Sequence, residues 1–144
     1  MKNNISLVVE RITLTLWVGS LWAVGLMVAP LLFVQLDSRA LAGSVAGQLF
    51  TITALLGLVC GSLLLLAMIL RTGRYGWRGW VVTAMLLLVA AGQFVVAPMI
   101  GDLRSQGLVD SADFARLHGL ASVLFMVTAG LGLLLVAAGT ARHD

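Results

Sequence analysis

Four long apolar stretches, separated by short polar ones, set the pattern of this chain. Residues 12–36 carry no charge, and neither do residues 40–70. A bilayer core takes about 20 apolar residues per helical crossing. The pattern therefore predicts four transmembrane helices, at about 11–36, 47–70, 80–100 and 111–139. Residues 41–49 exceed what one crossing requires. They read either as a helix lying in the interface or as an extension of the second helix. Pro30 and Pro98 fall near the ends of the first and third helices. Proline lacks an N–H and crowds the carbonyl four residues back, so a kink is expected at each. Asp37 and Ser38 can cap the second helix. Asp110 can cap the fourth, with Asp113 complementing its N-terminal dipole.

Composition agrees. The 144 residues are 60% hydrophobic and 10% charged, whereas a soluble domain carries roughly a quarter charged residues. The fold class is all-α: an integral membrane four-helix bundle, a single domain over residues 1–144, with the lipid bilayer as its first partner. The nine basic residues are thinly spread, which argues against nucleic acid and for topology signals. Cys60 is the sole cysteine, so no intrachain disulfide can form. The first apolar run exceeds the roughly 7–15 residues of a cleavable signal core and reads as a retained helix.

Arg71, Arg74 and Arg78 lie among Tyr75, Trp77 and Trp80, with Gly73, Gly76 and Gly79 between them. Basic and aromatic residues together mark a membrane boundary, where phospholipid headgroup contact is expected. A phosphate-binding loop would need Lys-Ser/Thr after its glycines, and that is missing. In a four-crossing arrangement, Lys2, Arg11, Arg71, Arg74, Arg78 and Arg142 share one side. Arg39, Arg104 and Arg116 share the other. The excess of positive residues predicts cytoplasmic termini in a bacterial inner membrane.

The two halves echo each other. Val28-Ala29-Pro30 recurs as Val96-Ala97-Pro98. At the same offset Leu49 matches Leu117, and Phe50 falls where His118 is. This predicts two helical hairpins repeated in parallel about an axis along the membrane normal. Gly43 with Gly47, and Gly57 with Gly61, form small-residue pairs that permit close helix contact.

Few residues offer chemistry. No ionisable side chain is expected in the middle of any helix, which argues against a proton-driven pump. No serine has an adjacent histidine and carboxylate, so no nucleophilic set is present. His118 is the candidate ligand, with Ser122 and Met126 following on its helix face and Phe114 a turn before it. It reads equally as an interfacial side chain. Met27, Met99, Met126 and His118 would suit Cu(I) if they converge, and methionine is also ordinary apolar filler. Gln93 lies deep in the third helix, where it makes an interhelical hydrogen bond or contacts a solute. His143 would lie across the membrane from His118, so the two cannot share a haem.

Gly25, Val28-Ala29-Pro30 and Phe33, then Ala42-Gly43, Gly47 and Leu49-Phe50, then Leu117-His118-Gly119-Leu120-Ala121-Ser122, resemble the bacterial domain of unknown function 4149. That domain is similar to the eukaryotic transmembrane protein 205. The resemblance implies a four-helix membrane protein and no established reaction. The wider group is similar to copper-resistance permeases and to a haem-containing protoporphyrinogen oxidase, which would make His118 a ligand by analogy. No cofactor is predicted from the residues themselves; haem or copper would follow only from that analogy. Three functions are in view: a non-catalytic protein handling or transporting a small solute or soft metal at its outer face; a helper subunit for another membrane protein, or a homo-oligomer; and a haem-binding redox protein.

Overall fold

The computed structural model describes residues 2–72 and 76–139. Gly73, Arg74, Tyr75, Arg142 and His143, which entered the boundary and topology readings, lie outside the described residues. No strand occurs among the described residues. Helix α1 (Lys2–Trp22) passes through a π-helical segment, Ala23–Val28, into α2 (Ala29–Gln35). Helix α3 is continuous from Arg39 to Thr72. Helix α4 (Trp77–Ala91) passes through a second π-helical segment, Gly92–Val96, into α5 (Ala97–Ser105), and α6 is Ala112–Ala137. These make four spans long and apolar enough to cross a membrane: Asn4–Gln35, Arg39–Arg71, Trp77–Ser105 and Ala112–Ala137.

Several boundaries differ from the apolar runs. Helix α1 starts at Lys2 rather than near Arg11, and it can do so because Glu10 is neutralised by Arg71 inside the protein. Residues 41–49 extend the second helix; Ser38 Oγ accepts the backbone N–H of Leu41 at 3.3 Å and caps that end. Ser111, not Asp110, caps α6, accepting the N–H of Phe114 at 3.1 Å. Gly139, at φ +66°, ends the span after α6 in the left-handed conformation that glycine tolerates best.

Both prolines act through a wider helical turn. The N–H of Ala29, just before Pro30, bonds the carbonyl of Val24, and that of Ala97, just before Pro98, bonds Gly92. Each bond reaches one position further back than in a regular α-helix. The extra residue relieves the proline's crowding of the preceding turn.

Each span packs on its chain neighbours, and the fourth closes on the first. The core sits toward the half that holds the starts of α1 and α4 and the ends of α3 and α6, here the tail end. Trp17 is completely buried there, among Leu14, Val18, Leu21, Cys60, Leu64, Val82 and Met85. Gly57 and Gly61 form the slot for its ring. A Cβ at Gly57 would come within 2.4 Å of Trp17 Nε1, and one at Gly61 within 2.6 Å of the ring carbons. This slot receives an indole rather than a second backbone. We expect Gly57→Leu to destabilise the bundle by roughly 1–3 kcal/mol, the usual cost of overpacking. Gly19→Ala, facing open space, should not. Detergent-unfolding midpoints of the two variants check this.

Candidate functional site

A charge in a membrane-spanning helix requires a partner, since desolvation is expensive. Glu10, in α1, is 1% exposed. Arg71, in the last turn of α3, meets it in a two-pronged ion pair, Nε to Oε1 at 2.6 Å and Nη2 to Oε2 at 3.2 Å. Arg78, in α4, is also buried. It donates to the carbonyls of Leu135, at 3.3 Å, and Gly139 at the end of the fourth span, where the helix dipole favours a cation. Arg71 and Arg78 therefore turn inward and tie helix ends together rather than meeting lipid headgroups. Sequence reading missed this. A signal existed: Arg78 follows Glu10, and Gly139 follows Arg71, at the same offset that separates the two Val-Ala-Pro motifs.

The opposite half, the far end, is arranged differently. Helix α3 lies against α4, whereas Gly92–Val96 and α5 pack on α6; Ala23–Val28 and α2 pack on α3. The far halves thus pair as first with second span and third with fourth. Phe125, from α6, crosses between the pairs. Its ring occupies the space a Cβ on Gly25 would fill, at 2.5 Å, and meets Phe50 edge-on with centroids 5.1 Å apart. Beyond this aromatic contact, the Arg104 guanidinium reaches from α5 across to α3. Its terminal nitrogens lie 3.7 Å from where Cβ atoms on Gly43 and Gly47 would stand. Arg39, Gly43, Gly47 and Phe50 follow at helical spacing on one face of α3. That face runs from a cation through two glycines to an aromatic ring. We take this crevice as the candidate site. Arg104 had entered the sequence reading only as a topology charge, because nothing local links it to glycines of the preceding span.

The residues singled out from sequence are placed as follows. His118 is exposed on α6, with its ring parallel to that of Phe114 and centroids 6.2 Å apart. Ser122 is exposed, and its hydroxyl donates to the His118 carbonyl at 2.9 Å. Met126 and Met99 are 61% and 47% exposed, so His118, Ser122 and Met126 form a stripe on the outside of the bundle. Among the described residues, no group of three or more His, Cys, Asp or Glu is gathered to hold a metal. Gln93 is half-buried within the second π-helical segment, and its amide makes no hydrogen bond within the described residues. Pro30 and Pro98 are exposed, one residue inside α2 and α5. An apolar groove of about 130 Å³ lies between first and fourth spans, lined by Trp22, Leu26, Phe125 and Met126 among others.

Removing one partner of a buried ion pair strands the other charge. We expect Glu10→Gln to destabilise the bundle by about 3 kcal/mol, with most of that recovered in Glu10→Leu combined with Arg71→Leu. Unfolding midpoints of the single and paired variants decide it.

A family model described as Domain of unknown function (DUF4149) matches residues 12–108. No curated protein and no solved structure matches the chain.

Proposed function

This chain belongs to the family described as Domain of unknown function (DUF4149), and on that footing we propose that it is a non-catalytic membrane protein handling a small solute in its far-end crevice. With both termini cytoplasmic in a bacterial inner membrane, the crevice opens outward. The observation that carries this reading is the Arg104 guanidinium laid over Gly43 and Gly47, from one far-end helix pair to the other. A binding site needs a concave face with few, well-placed polar groups. The two glycines supply the recess, Arg104 supplies donors with Arg39 a turn away on the same helix face, and the aromatic pair Phe50 and Phe125 closes the depth. Outside that crevice, Gln93 in the Gly92–Val96 segment of the third span has an amide with no partner among the described residues, which suits a solute or a neighbouring protein.

The soft-metal form of the proposal would use His118, Met99 and Met126. Their positions on the bundle's surface make a shared ion dependent on a second chain. The same exposed stripe of His118, Ser122 and Met126 favours a second reading, a helper subunit docking on another membrane protein through α6.

A thermal-shift screen of the purified protein against anionic, neutral and cationic small solutes tests the first reading. At least one solute should raise the midpoint of the wild type and leave Gly47→Leu unmoved. No shift with any solute class, or equal shifts in both proteins, would sink it. A Cu(I) titration with unchanged binding in His118→Ala would remove the metal, and a specific partner lost with Ser122→Leu on mild-detergent purification would favour docking.

A further inference from the structure

We propose that the far-end crevice binds a phosphate-bearing amphiphile, its phosphate on Arg104 and Arg39 and its apolar chain against Phe50 and Phe125. This rests on the solute-handling reading and names the ligand class.

The first observation is the direction of Arg104. It sits in the last turn of α5, where a long basic side chain ordinarily extends toward water and keeps its charge hydrated. Here the guanidinium, though exposed, is laid beside Gly43 and Gly47, one and two turns inside α3. By the helical rise these glycines are roughly 6 and 12 Å from its Arg39 end. A guanidinium laid back along a membrane-spanning helix gains from an anion beside it. No carboxylate among the described residues supplies one. Among the described residues, ion pairs join Glu10 with Arg71 and Asp113 with Arg116. Asp37 and Asp102, the nearest acidic residues in sequence, pair with neither Arg104 nor Arg39.

The second observation is the second cation. Arg39 begins α3, is exposed, and falls at helical spacing on the face that carries Gly43 and Gly47, so its flexible side chain starts within a turn of the recess that Arg104 reaches. An anion in the recess would draw both cations toward it. The N-terminal dipole of α3 adds to the positive potential there. Phosphate fits the donor set: its oxygens accept paired N–H bonds from planar guanidinium groups, which is why arginine is favoured for phosphate.

The third observation separates an amphiphile from a free anion. Below the arginines, the α3 face is glycine and then Phe50, whose ring meets Phe125. The face thus grades from cationic to apolar toward the bundle centre, matching a headgroup followed by a hydrocarbon chain. A free anion would use only its cationic end.

The test uses full-length protein, delipidated in a non-ionic detergent and titrated with lysophosphatidic acid. Two controls separate the parts of that molecule: inorganic phosphate as head alone, and monoolein as a chain without phosphate. Saturable binding should weaken about tenfold in Arg104→Gln and again in Arg104→Gln with Arg39→Gln, as expected for lost charge-assisted bonds. It should vanish in Gly47→Leu. Unfolding midpoints matching the wild type show that the exposed arginine variants remain folded. Undiminished binding in Arg104→Gln overturns the proposal. So does monoolein binding as tightly as the phosphate lipid, and so does inorganic phosphate binding equally well, which leaves a free-anion site. If lysophosphatidic acid fails while another solute still stabilises wild type and not Gly47→Leu, the amphiphile falls and solute handling stands.

Discussion

In hydrocarbon, a polar group is best served by a partner within the protein, and this constraint shapes most of the chain, with Trp17 Nε1, Trp22 Nε1 and Arg78 Nε as buried exceptions. The hydroxyls obey it locally. Those of Thr13, Thr53, Ser62 and Thr128 each donate to a backbone carbonyl one turn back, where no water could serve them. The charges obey it at long range. Glu10 and Arg71 neutralise each other across two spans, and Arg78 is spent on the carbonyls that α6 and its end leave open. Four spans are thereby tied in pairs at one end, with the indole of Trp17 packed dry between them.

The two ties are alike in position and unlike in chemistry. Both close the same length of chain, and each element of one recurs in the other at the offset of the Val-Ala-Pro motifs. The first uses a carboxylate and a guanidinium, the second a guanidinium and bare helix carbonyls. The π-helical turns recur nearly in step, ending at Val28 and Val96. The recurrence thus reaches from a short sequence motif into backbone geometry and buried electrostatics. With the tail end fixed in this way, the far ends are the part of the bundle left to vary, and there the side chains depart from the repeat: Phe50 against His118, Gly25 against Gln93.

How much of this was legible in the sequence follows from the range of each signal. Hydropathy sums over the length of a whole crossing, so all four spans stood out. The prolines announced disturbed helices, but the choice between a kink and a wider turn depends on where the displaced carbonyls bond. The uncharged run that places the first helix begins after Glu10, and the partner of that carboxylate, Arg71, stands at the far end of the next span. The orientation of His118 escaped for another reason. Helix α6 is apolar nearly all round, so spacing shows that Ser122 and Met126 share its face but not whether that face looks inward. The crevice escaped as well, since Arg104 and its glycines come from different spans.

The wider turns before the prolines also make chain length a hidden variable. Each holds one residue more than a regular helix would over the same rise. Deleting a single residue between 23 and 28 would let that turn relax to ordinary winding over the same rise, leaving α2 in register with α3 and returning Pro30 to a crowded regular turn. Deleting one from the regular winding of α1 instead would swing everything beyond it by about 100°. A relative one residue shorter within the wide turn would keep its interhelical fit, whereas one shorter elsewhere in the span would not.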